Sequence, residues 1–265
     1  MKIYISADIE GLAGIASWSE TDKSHGDYGD FSKEMSLEVR AACEGALEAG
    51  AQELFVRDAH DSARNIDINS LPEEAILQRG WSCDPLCMVS GIDQGYDGAV
   101  FIGYHSRAGS NRSPLAHSMD TDLIYIKING KEVSEFVINA YAAAYYEVPV
   151  LFVSGDMGLI DEIKEYTTNI QALGVKEGIG DSVVSLHPNK VIKEIKEGVK
   201  AAMKGDLKAS ILELPESFKV EVGYRKHQRA YKSSFYPGAE LKTPHSVEFS
   251  TKDYYEVLRF IHFTC

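Results

Sequence analysis

The stretch Lys2–Gly11, KIYISADIEG, decides the fold. Ile3, Tyr4 and Ile5 form a short apolar, β-prone run, which predicts a buried strand. The run stops on Asp8 and Glu10, two carboxylates two positions apart, with Gly11 after them. In extended backbone, alternate side chains share a side, so Asp8 and Glu10 fall together. Two neighbouring like charges favour either an added proton or a cation between them, and a divalent metal is the simplest such cation.

Three further stretches repeat the design. Glu53–His60, ELFVRDAH, runs through Leu54, Phe55 and Val56 to Asp58 and His60. Gly98–His105, GAVFIGYH, closes on His105, and Val148–Asp156, VPVLFVSGD, closes on Asp156. Ligands of an open parallel sheet bind beyond the carboxyl ends of its strands. Topology alone therefore predicts one rim gathering Asp8, Glu10, His60, His105 and possible further members such as Asp156. Asp58 is expected to orient the loop or His60, since carboxylates commonly support metal-bound imidazoles.

The elements around these strands predict an α/β fold: a mostly parallel sheet flanked by helices, with a smaller C-terminal α+β subdomain. Apolar spacing predicts helices over about Phe31–Ala49, Glu135–Tyr146, Leu159–Tyr166, Pro188–Lys204 and Asp253–Phe263. Leu123–Ile128, Asn129-Gly130 and Lys131–Val133 spell a hairpin. Short strands are expected at Ile76–Gln78, Cys87–Val89, Val183–Leu186, Ser217–Gly223 and Val247–Phe249, while His227–Ser233 is basic and polar. The expected division is a metal-binding catalytic domain over 1–189 and a subdomain over 190–265.

Composition narrows the function. The 265 residues are 44% hydrophobic and 25% charged, enough for a substantial core without disulfides or a structural metal. A net charge of −13 argues against nucleic acid and anionic membrane as partners. Cys43, Cys83, Cys87 and Cys265 form no CxxC pair, so a zinc ribbon is not expected, and Cys43 falls on an apolar helical face. No apolar run approaches the roughly 20 residues of a membrane span, and no secretory signal leads the chain, so a cytoplasmic location is expected.

The candidate donors are Asp, Glu and His without Cys, a set that suits zinc or manganese. Carboxylates around one rim can hold two metals about 3.5–4 Å apart, which favours hydrolysis over redox chemistry. Dinucleotide, P-loop and GxSxG signatures do not occur. The long loop Ser106–Asp120 carries His117, and the loop after Gly11 offers Trp18, His25 and Tyr28 to a substrate entrance. His187 and His262 carry no expected role; His227 and His245 stay open. On spacing alone, Glu135 is equally well explained as an acidic residue in the first turn of a helix.

Asp8-Ile9-Glu10-Gly11, Asp58-Ala59-His60, Gly103-Tyr104-His105, His117-Ser118-Met119, and Glu135 followed by Asn139-Ala140-Tyr141 together carry a resemblance. From Met1 to the C-terminus the chain resembles the D-aminopeptidase family of bacterial dipeptide-transport operons, binuclear zinc peptidases. The resemblance implies that Asp8, Glu10, His60, His105 and Glu135 bind two zinc ions per subunit, with Asp8 as the bridge. It gives His117 the catalytic role. The family treats this histidine as a nucleophile; chemistry favours attack by metal-activated hydroxide, with His117 stabilising the oxyanion or shuttling the proton. The implied substrate is a short peptide with a free amino terminus, containing D-residues of the D-alanyl type. The implied assembly is a homo-oligomer, a decamer of stacked pentamers. Arg57, where the family often has Asn, and the composition of Thr21–Asp30 depart from the pattern. The competing readings are a metal-dependent amidase or phosphoesterase, and a non-catalytic metal-dependent peptide-binding oligomer.

Overall fold

The computed structural model describes residues 1–265. In chain order it contains β1 (Lys2–Ala7), α1 (Tyr28–Glu48), β2 (Glu53–Asp58), β3 (Ala75–Gln78), β4 (Gly98–Tyr104), β5 (Leu123–Ile128), β6 (Lys131–Glu132) and α2 (Glu135–Tyr145). There follow β7 (Val150–Asp156), α3 (Met157–Lys164), β8 (Gln171–Ile179), β9 (Ser182–Ser185), α4 (Pro188–Ala202) and β10 (Phe218–Tyr224). The chain closes with α5 (His227–Ser233), β11 (Ala239–Thr243), β12 (Ser246–Thr251) and α6 (Tyr254–Thr264).

Seven strands form the main sheet in the order β3-β2-β1-β4-β7-β8-β9, parallel except for the β8–β9 pair. β1 and β4 are adjacent at its centre, although α1, β2 and β3 separate them in the chain. The chain grows outward from β1 on one side and from β4 on the other, so the topological switch point lies between them. Both strands are buried on both faces, as their continuous apolar runs require. Alternation divides the core: Ile3, Ile5, Val100 and Ile102 face one cluster with Met35 and Val39 of α1 and Val191 and Ile195 of α4. Tyr4, Ala99 and Phe101 face the other, with Phe136 of α2 and residues of the second sheet and α6.

That second sheet is antiparallel, in the order β11-β12-β10-β5-β6. It is not confined to residues 190–265, because the Asn129-Gly130 hairpin of β5 and β6 supplies two of its strands. α4, Pro188–Ala202, shares the core cluster of α1 on the main sheet. The expected boundary at residue 190 therefore follows neither layer. Cys87–Val89 is a 3-10 turn rather than a strand. β8, β11 and α5 are additions to the expected elements; their sequences are rich in glycine or charge. All four cysteines are free thiols, and Cys43 is buried in α1 as expected.

Candidate metal centre

The carboxyl ends of β2, β1 and β4 lie side by side, so Asp8, Glu10, His60 and His105 converge just beyond them. Glu135 joins from the first turn of α2, and Ser134 caps that helix by accepting from the Val137 amide. Two close backbone contacts set the positions. Gly11 N donates to Gly103 O (2.8 Å), and Asp8 N donates to Ile102 O (2.8 Å). A Cβ on Gly11 would overlap the Tyr104 carbonyl, and one on Gly103 (φ +72°) would overlap the Asp8 carbonyl. The glycines of DIEG and GYH are thus the contact between the β1 and β4 loops.

Asp8 lies between two imidazoles. Its Oδ1 is 3.3 Å from His60 Nδ1 and its Oδ2 is 3.4 Å from His105 Nε2. Glu10 Oε2 is 3.1 Å from His60 Nδ1, and Glu135 Oε2 is 3.4 Å from His105 Nε2. The five side chains are almost wholly buried. Backbone carbonyls orient both imidazoles: His60 Nε2 lies 2.9 Å from Thr21 O, and His105 Nδ1 lies 3.0 Å from Ser106 O. With those nitrogens donating, the opposite nitrogens face the carboxylates, where each can hold a proton in the chain alone or offer its lone pair to a metal, the orientation second partners impose on metal-binding histidine.

Burial works to raise the Asp8 and Glu135 carboxyls, but the neighbouring imidazoles outweigh it and hold both below the usual range. Burial likewise works to lower His60 and His105; the carboxylates prevail and raise both well above the ordinary value. In the chain alone, protons on the two imidazoles offset part of the carboxylate charge, and a metal would compete with them for the same lone pairs. The donor set fits such an ion. Glu10 Oε2 and His105 Nε2 are buried yet lack any hydrogen-bond partner of good geometry. Ligand atoms of Asp8, Glu10 and His105 lie within 4.8 Å of one another, as do those of His105, His117 and Glu135.

His117 closes the cluster on the solvent side, with its side chain 14% exposed. Its ring stacks on His105 at 4.3 Å and 8°, and its edge meets Trp18 at 5.2 Å. Nδ1 lies 2.9 Å from Leu115 O, and Nε2 is 3.6 Å from Glu135 Oε1. Met119, in left-handed backbone (φ +64°), donates its amide to that same oxygen at 2.6 Å. A cavity of about 400 Å³ opens over these groups, lined by Glu10, His60 and His117 together with Trp18 and His25. Tyr28, expected beside them, is instead buried and donates to Asn65 Oδ1.

Asp58 and Asp156 support the cluster from behind. Asp58 accepts from Asn65 N (2.5 Å), Ile66 N (2.8 Å) and Asn65 Nδ2 (2.8 Å), while Asn65 Nδ2 also donates to His60 O. Asp156 accepts from the amide and hydroxyl of Ser106, next to His105, and caps α3 through Leu159 N. Neither belongs to the donor cluster. Arg57 is fully buried, donates to Gly80 O and lies 4.5 Å from the Trp81 ring. Lys176 of β8 had no sequence signal. Its buried ammonium donates to Glu10 O (2.5 Å) and Ile15 O (2.7 Å), fixing the loop that presents Glu10. A lone lysine between Val175 and Glu177 in QALGVKEGI is indistinguishable from a solvent-facing one. His227, the first residue of α5, and His245, in the turn between β11 and β12, lie edge to face with ring centroids 6.0 Å apart.

The chain is similar to known proteins along nearly its whole length. A family model described as D-aminopeptidase matches residues 1–263. A D-aminopeptidase of Bacillus subtilis (strain 168) is 33% identical over 258 residues, covering 97% of this chain and 93% of that protein. A solved structure, the zinc-dependent D-aminopeptidase DppA from Bacillus subtilis, described as a self-compartmentalizing protease, superposes with a TM-score of 0.92. It is 30% identical, and the match covers 100% of this chain and 96% of that one. The parallel sheet, the cluster at its switch point and the match along nearly the whole length lead to one assignment: the chain belongs to the D-aminopeptidase family.

Proposed function

We propose that the chain is a zinc-dependent aminopeptidase acting on short peptides with a free amino terminus, D-alanyl peptides among them. The observation that carries the reading is Asp8, one carboxylate whose two oxygens face two different imidazoles. That arrangement suits a bridge between two cations. Asp8, Glu10 and His60 would hold one zinc; Asp8, His105 and Glu135 would hold the other. Such a pair supplies, when bound, polarisation of the scissile carbonyl and acidification of water.

The remaining chemistry falls to the chain. His117 is half-buried at the cavity wall, its ring orientation fixed by Leu115 O, His105 and Trp18. From there its Nε2 can donate to the oxygen that gains charge, or carry a proton to the departing amine. Glu135 Oε1, held by the Met119 amide, keeps that nitrogen facing inward. Asp22 and Asp61 give the cavity an acidic lining that suits a free ammonium group.

The neighbour described as self-compartmentalizing supports assembly of this chain into a homo-oligomer, for which we propose a decamer of stacked pentamers; light scattering of the purified protein tests the number. No helix is long and apolar enough to cross a membrane. Hydrolysis of D-Ala-D-Ala and L-Ala-L-Ala, with zinc and after chelation, tests the activity. His117→Ala should lower kcat by about 10²–10⁴-fold while zinc content stays at the wild-type level. Turnover that survives complete chelation, or a fully active His117→Ala variant, would contradict the mechanism.

A further inference from the structure

Two cavities meet at His117. The first is the acidic space over the donor cluster. The second, about 790 Å³, lies on the other side of the same imidazole, and Trp18, His117 and Thr121 line both. The two differ in character. The second has apolar walls, Pro114, Leu123 and Ile124 among them, and besides His117 its only ionisable side chain is Arg225.

Arg225 is fixed yet uncommitted. Its backbone amide donates to Asp122 O (2.9 Å) and its Nε donates to Thr121 O (3.1 Å). Neighbouring cations are consumed: Lys226 pairs with Asp122 at 3.1 Å and Arg229 with Asp120 at 2.6 Å. Arg225 makes no ion pair, so its two terminal nitrogens stay available at the edge of an apolar cavity. A planar guanidinium with free donors, held by its own Nε, is suited to bidentate capture of a carboxylate.

We propose that this second cavity seats the carboxyl-terminal part of the substrate, with Arg225 binding the free terminal carboxylate. The inference rests on the peptidase reading and adds a rule of substrate choice. The acidic cavity takes the ammonium end, the apolar walls take a small side chain, and Arg225 takes the opposite terminus. A volume of this size lies within the usual range for small-molecule sites. Opposite charges at the two ends also fix direction, because a reversed peptide would bring like charges together. The enzyme would therefore favour short peptides with both termini free over peptides blocked or extended at the carboxyl end.

The test uses the full-length, zinc-loaded protein and two peptide pairs: D-Ala-D-Ala and D-Ala-D-Ala-D-Ala, each as the free acid and as the carboxyl-terminal amide. For at least one pair the wild type should favour the acid by about 10-fold or more in kcat/KM, chiefly through KM. In Arg225→Gln the ratio should fall to within about twofold of unity, and in Arg225→Glu below unity. Arg225 is exposed and its backbone bond does not depend on the side chain, so both variants should fold; circular dichroism checks this. Wild-type cleavage of acids and amides at equal rates, or an unchanged ratio in Arg225→Gln, would overturn the assignment and leave the peptidase reading standing. If the zinc-loaded wild type cleaves none of the four peptides, the peptidase reading and this inference fail together.

Discussion

Asp58→Asn offers the sharpest test of how the cluster is held. The carboxylate is fully buried, and it accepts three of the bonds that close the loop after β2. Oδ2 takes the amides of Asn65 and Ile66, and Oδ1 takes Asn65 Nδ2. Asparagine keeps one acceptor oxygen. Its best orientation serves the two backbone amides and turns a new NH₂ toward Asn65 Nδ2, donor against donor. Flipping Asn65 does not help, since its Nδ2 also donates to His60 O. Both facing donors are thus left unmatched, at about 1–3 kcal/mol each, and two charge-assisted bonds become neutral ones, at about 0.5–1 kcal/mol each. The total is at least about 3 kcal/mol. Urea denaturation of the zinc-free protein should show that loss, and zinc titration should show weakened binding because the loop carries His60. A loss below about 1 kcal/mol with unchanged zinc affinity would refute the account.

Gly11→Ala should fail more abruptly: the added methyl overlaps the Tyr104 carbonyl, so the β1 and β4 loops must part, and we expect loss of zinc binding along with a stability loss above about 3 kcal/mol by denaturation. Asp8→Asn should lower zinc content below two per chain in metal analysis while leaving the secondary structure intact by circular dichroism. Glu162, which accepts from the amide of Ser134, one residue before Glu135, gives a pH signature in stability. Burial raises its carboxyl from 4.5 to about 7, although the Ser134 amide pulls the other way. Folded chains then keep a proton that unfolded chains release, so stability falls as pH rises from 4.5 to 7, by up to about 3 kcal/mol. Glu162→Gln, which can still accept from Ser134 N, should flatten that slope in denaturation curves measured across the window.

The sequence was most legible where one signal sufficed. Apolar runs ending on Asp8, His60 and His105 announced both the strands and the rim, because a buried parallel strand has few other reasons to end on an ionisable residue. Asn129-Gly130 announced its hairpin by turn chemistry alone. Legibility failed where the reason for a residue lies on another element. β8 contains Gly174 and Gly178, which look like loop residues; they are small because Met157 and the Arg112 backbone press against them. Lys176 in the same strand is buried to serve carbonyls from the first loop of the chain, a pairing across 166 positions that no local pattern encodes. Asp58 was legible as a support and Glu135 only through family resemblance, since a first-turn glutamate needs no ligand to explain it. The boundary at 190 failed because strand exchange between layers leaves no compositional mark.

The placement of β4 beside β1 has a consequence for biosynthesis. During translation, β1, α1 and β2 emerge first and can pair as a crossover unit, which brings Asp8, Glu10 and His60 together while β1 still has one bare edge. His105 arrives only when β4 slots against that edge, and Glu135 only after the hairpin beyond it has formed. A nascent chain thus carries three of its five donors on an unsatisfied sheet margin for about 45 residues' worth of elongation, from 60 to 105, roughly 2–9 seconds at ordinary ribosome speed. Ribosome-stalled fragments ending before and after residue 105 would show whether that margin is shielded by a chaperone until the centre strand closes it.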